Sequence, residues 1–109
     1  MARIEISFFT TGNRSAEGGT MPVPRASNLR TEVLASGSVS AATTSASGDA
    51  AGTGFVRISA DGDVWATVGA APVAVVPAAG QALAGLRVKA GAPLDLAVGQ
   101  GDRVAVIDA

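Results

Sequence analysis

Short apolar runs interrupted by turn residues dominate this sequence and limit what it can fold into. The clearest runs are Phe55–Ala60, Val64–Val68, Leu94–Val98 and Arg103–Ile107. Glycine, proline or aspartate separates the runs roughly every eight to twelve residues, and no stretch has a convincing helical period. This spacing is typical of sandwiches and barrels, so we expect an all-β fold, a small β-sandwich of the jelly-roll-like type.

Asp61-Gly62-Asp63 lies between two of these runs. Because Asp-Gly supplies the positive φ that a tight hairpin needs, the sequence predicts that the runs on either side pair with each other. Alternation within the second run puts Trp65 on the strand face opposite Val64, Ala66 and Val68. Two interpretations of Trp65 stay open: it packs in the core, or it anchors a subunit interface, where tryptophan is enriched.

The first 32 residues are predicted to form a strand and an extended N-terminal arm, ahead of a sandwich domain over residues 33–109. Ile4, Ile6 and Phe8 alternate with polar residues, as in a half-buried strand, and the polar stretch Thr10–Thr20 reads as a loop. Four arginines and two glutamates give residues 1–30 a net charge of +2, whereas the rest of the chain carries −3. We therefore expect a mildly basic arm before a mildly acidic domain.

Two further stretches of biased composition bear on the fold. Ser36–Gly54 consists mostly of Ser, Ala, Gly and Thr, and we expect a strand over Val33–Thr44 followed by a loose turn over Ser47–Gly54. Val64–Leu86 carries no charge and is long enough to span a membrane, but Pro72 and Pro77 would each break a helix. Two short strands and their connection are the better interpretation.

The composition argues against catalysis. The chain has no His, no Cys and no Tyr, so the commonest general base, thiolate chemistry and a Ser-His-Asp triad are all excluded. A net charge of −1 argues against a nucleic-acid binder that works by bulk charge. We expect no enzymatic activity, no cofactor, no metal site, no small-molecule substrate, and neither nucleic acid nor membrane as a partner.

An ordered series of short elements runs through residues 33–109. The series is the Ser/Ala/Thr-rich stretch Ser36–Gly54, then Phe55-Val56-Arg57-Ile58, Gly69-Ala70-Ala71-Pro72-Val73-Ala74, Pro77-Ala78-Ala79-Gly80, Val88-Lys89-Ala90-Gly91, and a final Gly101-Asp102-Arg103-Val104-Ala105-Val106-Ile107. In this order the elements resemble a recurrent type of small structural protein of tailed-bacteriophage virions. Relative to that type, Gln81–Leu86 and Ala92–Gln100 are extra length, and the first thirty residues are not covered.

The resemblance implies a head decoration or capsid-stabilising protein on the outer capsid surface, assembled in the host cytoplasm. Its implied partners are the major capsid protein and further copies of this chain. A tail, neck or fibre-base protein and a carbohydrate-binding sandwich module stay open as alternatives. From the alternation we predict that Ile4, Ile6 and Phe8 add a strand to a neighbour's sheet. From the charge asymmetry we predict that Arg3, Arg14, Arg25 and Arg30 meet an acidic capsid surface, and Trp65 completes the predicted partner contacts as an aromatic anchor.

Overall fold

A computed structural model describes residues 2–13, 20–24, 29–48, 54–80 and 85–109 of the 109-residue chain. Within these ranges, nine strands joined by turns and irregular segments make up the fold. The strands are β1 (Arg3–Asn13), β2 (Thr20–Pro24), β3 (Arg30–Ala35), β4 (Ala41–Ala42), β5 (Gly54–Ala60), β6 (Val64–Gly69), β7 (Leu86–Val88), β8 (Leu94–Val98) and β9 (Arg103–Asp108).

The strands form two antiparallel sheets packed against each other. The first sheet has the order β2-β1-β5-β8, and β3 pairs with β1 on the side away from β5; the second has the order β4-β9-β6-β7. The predicted all-β fold is therefore confirmed, and its two packed layers are those of a small β-sandwich. The jelly-roll detail and the extended arm stay predictions.

The core lies between the sheets and is made by alternate residues of the central strands. Ile4, Ile6 and Phe8 of β1 are fully buried, and they pack with side chains from β5 and from the second sheet. The principal partners are Val56, Ile58, Val64, Ala66, Val88, Val104 and Val106. Burying each of the larger side chains contributes about 1.5–3 kcal/mol, so β1 is one of the main sources of stability.

This position of β1 corrects the prediction for Ile4, Ile6 and Phe8. Those residues were expected to add a strand to a neighbour's sheet, but β1 pairs with β3 and β5 of its own chain along residues 4–8. Their side chains fill the chain's own core, because regular alternation puts them on one apolar face of β1 and that face is buried between the two sheets. The domain boundary predicted after residue 32 falls within β3.

The turn at Asp61-Gly62-Asp63 carries the chain from one sheet to the other. The hairpin predicted here is wrong, because β5 pairs with β1 and β8 whereas β6 pairs with β7 and β9. Gly62 is not among the glycines with positive φ, so the two-residue hairpin geometry is absent. Instead, a Cβ on Gly62 would lie 3.0 Å from the Cβ of Ala2, so glycine lets the turn pack closely on the start of the chain.

The single strand predicted over Val33–Thr44 is wrong, because this part of the chain is divided between the two sheets. β3 ends at Ala35 in the first sheet, and the chain then crosses to β4 in the second. Ser36 is buried at this crossing: its N–H donates to the Ala2 carbonyl (2.8 Å), and its Oγ accepts from the Ala2 N–H (2.9 Å) and donates to Asp108. These bonds satisfy the polar groups where the strand leaves its sheet.

The loop predicted over Thr10–Thr20 is also partly strand. β1 continues to Asn13, and β2 begins at Thr20 and pairs with it, with the register shifting between Thr11 and Asn13. The middle of the predicted loop lies outside the described residues. The polar composition of residues 10–13 hid the end of β1, because main-chain pairing between strands can occur without apolar side chains.

Ile6→Ala should lower the free energy of unfolding by about 2–5 kcal/mol, because it leaves a cavity between the sheets. Val33→Ala, on the outward face of β3 where the side chain is 49% exposed, should change it by less than about 0.5 kcal/mol. Denaturant titration followed by circular dichroism measures both. Equal effects of the two substitutions would contradict the placement of β1 in the core.

Candidate functional site

Trp65 lies on the outward face of the second sheet. Val64 and Ala66 point into the core, so alternation along β6 turns Trp65 away from it, and its side chain is partly exposed. Register places Ile107 of β9 on one side of Trp65 and Arg87 of β7 on the other. We call Trp65, Ile107, Arg87 and Thr67 the Trp65 face. Of the two interpretations left open by the sequence, core packing of Trp65 is therefore wrong.

Asp63 holds Arg87 in place beside Trp65. Arg87 Nη2 donates to Asp63 Oδ2 (2.8 Å), and the Ala90 N–H donates to Asp63 Oδ1 (2.9 Å). The Ala90 N–H first, and then Arg87, lower the pKa of the Asp63 carboxyl below its ordinary value. The carboxylate therefore stays ionised at neutral pH and fixes the guanidinium on the sheet. Sequence reasoning missed Arg87 and Asp63 because only the strand register brings them to Trp65.

Around Phe9, the outward face of the first sheet is occupied by contacts within the chain. The rings of Phe9 and Phe55 stack with centroids 5.9 Å apart, and Arg57 Cζ lies 5.6 Å from the centre of the Phe9 ring. Arg57 also binds Asp95 through two hydrogen bonds of 2.8 and 3.0 Å, which lower the pKa of Asp95. Phe9 is only 4% exposed, so its ring offers little surface to a partner, whereas Phe55 is partly exposed.

Arg30 and Glu32 of β3 hold the Ser/Thr-rich segment against the sandwich. Arg30 Nη2 donates to the Ala46 carbonyl (3.0 Å), and the Glu32 carboxylate accepts from the N–H groups of Thr44 (3.0 Å) and Ser45 (2.9 Å). Partial burial alone would raise the pKa of Glu32, but these donors outweigh it and lower the pKa. Arg30, predicted to meet an acidic capsid surface, instead binds a loop of its own chain.

The predicted partner-binding residues are thus not gathered in one place. Arg3 lies on the first sheet, where its guanidinium approaches Glu5 at 3.5 Å and stays exposed. Arg30 is also on the first sheet, whereas Trp65 is on the outward face of the second. Arg14 and Arg25 lie outside the described residues. Of the eight, Trp65 alone stands on a described surface with a flanking aliphatic residue and a positioned cation.

Two further findings concern the described ranges. They hold no group of three or more acidic side chains placed to bind a metal ion. They also hold no helix of the length and apolarity needed to cross a membrane. Chemically, the Trp65 face offers a partner an indole ring, an aliphatic side chain and a guanidinium paired with Asp63.

Stability should fall as the pH drops below about 4, the ordinary carboxyl range. The pKa values of Glu32, Asp63 and Asp95 are lower in the folded chain, so the unfolded chain takes up protons first and acid favours unfolding. Glu32→Gln should lower the free energy of unfolding by about 1 kcal/mol at pH 7 and weaken its dependence on pH in the acid range. Denaturant midpoints between pH 7 and 2 measure it.

Glu5→Gln is the matched control, because it removes only an exposed ion pair and should change stability by less than about 0.5 kcal/mol. If the stability of Glu32→Gln falls as steeply with acid as that of the wild type, Glu32 does not hold the loop through its charge.

Neither the protein-family models, nor the curated proteins, nor the solved structures gave a match to this chain.

Proposed function

We propose that this chain is a non-enzymatic virion structural protein, which decorates and stabilises a bacteriophage capsid by binding the major capsid protein through the Trp65 face. The resemblance of residues 33–109 to small tailed-phage structural proteins supports the class of protein. The outward position of Trp65 between Ile107 and Arg87 carries the proposal for the surface. Trp and Arg are the residues most enriched among those that dominate binding energy at protein interfaces.

The Trp65 face is suited to binding because little of it has to be ordered when a partner arrives. Trp65 lies on a central strand paired on both sides, and Arg87 is already held by Asp63. Ordering a mobile side chain at an interface costs about 0.5–1.5 kcal/mol, and much of that cost is avoided here. Covering the exposed part of the indole then adds hydrophobic stabilisation.

Repetition on the capsid lattice compensates for the small size of the face. A face of about four side chains gives modest affinity on its own. A capsid presents the same binding surface many times, and copies that also contact one another bind with higher avidity than each contact alone would give. A small sandwich with one such face is therefore enough to reinforce a shell at its subunit junctions.

A carbohydrate-binding module is the second candidate function, and the same observation favours it. A partly exposed tryptophan beside an arginine that is paired with Asp63 can stack on a sugar ring while the arginine donates hydrogen bonds. Phe9 and Phe55 do not extend this surface, because they lie on the other sheet. A tail, neck or fibre-base protein would use the same face on a different part of the particle.

Trp65→Ala should weaken capsid binding about 30-fold or more, which corresponds to the loss of about 2 kcal/mol at a central contact. The chain would be added to shells assembled from the major capsid protein of the phage that encodes it, and bound copies counted by sedimentation and electron cryomicroscopy. Val33→Ala, an exposed position on the first sheet, is the matched control and should bind like the wild type.

Copy number and location separate the candidates. Hundreds of copies on the shell support decoration. A ring of a few copies at the neck or tail would instead support a tail, neck or fibre-base protein. Specific hits on a glycan array that disappear in Trp65→Ala, together with no binding to shells, would favour the carbohydrate module. Normal shell binding by folded Trp65→Ala would remove Trp65 from the proposal.

A further inference from the structure

Residues 43–47 connect the two sheets on the side of the sandwich formed by β3 and β4, and we call them the bridging segment. Both ends of this segment lie beside the start of β9. The Thr43 N–H donates to the Val104 carbonyl (2.8 Å), and the Val104 N–H donates back to Thr43 Oγ1 (3.2 Å). At the other end, the Ser47 N–H donates to the Asp102 carbonyl (2.8 Å). These bonds anchor the ends of the segment to the second sheet.

The middle of the bridging segment is held on the first sheet by Glu32 of β3. The Glu32 carboxylate accepts from the Thr44 N–H through Oε2 (3.0 Å) and from the Ser45 N–H through Oε1 (2.9 Å). Thr44 Oγ1 also donates to Oε1 (3.2 Å). Because hydrogen bonds to an ionised acceptor are stronger than neutral ones, all three contacts depend on the charge of Glu32.

Burial differs between the ends and the middle of the bridging segment. Thr43 and Ser47 are buried, whereas Thr44 is exposed, and Ser45 and Ala46 are half-buried. None of the three middle residues belongs to the apolar core between the sheets. Moving the middle away from β3 therefore breaks hydrogen bonds to Glu32 but exposes little apolar surface.

The groups that face Glu32 from the first sheet and from the bridging segment include one other charge, that of Arg30. Register places the apolar Ile6 of β1 beside Glu32, and residues 33–48, which include the bridging segment, contain no charged residue. Arg30, two residues away on the same face of β3, donates to the Ala46 carbonyl (3.0 Å). Because arginine stays protonated throughout the acid range, Glu32 is the group in this contact whose charge changes there.

The charged residues of β9 and of the turn before it act at other points. Asp102 accepts from the Gly99 N–H (2.8 Å) within the turn, and Asp108 accepts from the Ser36 hydroxyl. Arg103 is exposed on the outward face of the second sheet. Protonation of Asp102 or Asp108 therefore acts on those bonds, and not on the N–H groups that bind Glu32.

We propose that Glu32 is an acid-sensitive switch: when its carboxylate takes up a proton, Thr44 and Ser45 separate from β3, whereas both ends of the bridging segment stay beside β9. The protonated carboxyl lacks the charge that holds the three donors, and the middle of the segment is already close to solvent. Arg30 limits the opening, because it still binds the Ala46 carbonyl. The sandwich thus opens locally on this side before acid unfolds it as a whole.

Amide hydrogen exchange of the full chain, followed residue by residue by NMR between about pH 6 and 2, tests the switch. The protection of the Thr44 and Ser45 N–H groups should fall about tenfold or more, as expected when hydrogen bonds to a charged group are lost. Burial raises the pKa of Glu32, but its donors lower it further, so the fall should occur below the ordinary glutamate value of about 4.3. The N–H groups of Thr43 and Ser47 should stay protected to a lower pH, because their acceptors are main-chain carbonyls.

Three variants separate the charge of Glu32 from its contacts. Glu32→Gln has the shape of the protonated residue, so the Thr44 and Ser45 N–H groups should be poorly protected already at neutral pH, with no further decrease until the fold is lost. Arg30→Gln removes a neighbouring contact but keeps the carboxylate, so the fall in acid should remain. Glu5→Gln is the matched control, since Glu5 is an exposed carboxylate on the outward face of the first sheet; it should behave like the wild type.

Two results would overturn the proposal. The first is protection of Thr44 and Ser45 that persists in acid for as long as that of Thr43 and Ser47, and the second is a fall in acid that remains in Glu32→Gln. Either result would leave the proposed function untouched, because the switch includes no residue of the Trp65 face.

Discussion

The passage of the chain from one sheet to the other at Asp61-Gly62-Asp63 determines which side of each later strand faces the core. Asp61 binds the start of β1 in both directions, because its N–H donates to the Arg3 carbonyl and its Oδ1 accepts the Arg3 N–H. Asp63 binds β7 and the turn after it. With both ends of the turn held, Val64 points inward, and Trp65 has no alternative but the outward face.

Apolar burial and polar contacts stabilise different parts of this fold. The apolar contribution is concentrated in β1, β5, β6 and β9, whose inward residues are almost completely buried. The Ser/Thr-rich part of the chain has little apolar area to bury, and it is held on the sandwich by hydrogen bonds that backbone N–H groups donate to the side chains of Ser36, Glu32 and Thr43. The core between the sheets is packed without Trp65, which stays partly exposed on the outward face of the second sheet, where it can serve contacts between molecules.

Most strands of the C-terminal two-thirds could be predicted from the sequence, but their assignment to sheets could not. The second short strand that was expected within Val64–Leu86 is wrong for residues 70–80, which form no strand. Alternation shows that Phe55–Ala60 and Val64–Gly69 are strands, yet it does not show whether a turn leads back along the same sheet or across to the other. Asp-Gly marks the turn equally in both cases. The positive charge of the first thirty residues suggested an arm. The alternation of Ile4, Ile6 and Phe8 was the stronger signal, because these apolar side chains are stable only when they are buried. Arg87 could not be assigned to the site, since its position beside Trp65 depends on register between strands separated by more than fifteen residues in sequence.

Collisional quenching of Trp65 fluorescence by iodide tests the central claim most directly, because Trp65 is the only tryptophan in the chain. In the free folded chain, iodide should quench the emission appreciably, as expected for an indole on an outward face beside a fixed arginine. The chain can also be labelled with 5-hydroxytryptophan and bound to particles whose other proteins lack this analogue. In those particles, iodide should no longer quench the emission of the labelled residue. A free chain as well shielded from iodide as a protein with a core tryptophan would contradict the outward orientation of Trp65 and the function proposed for it.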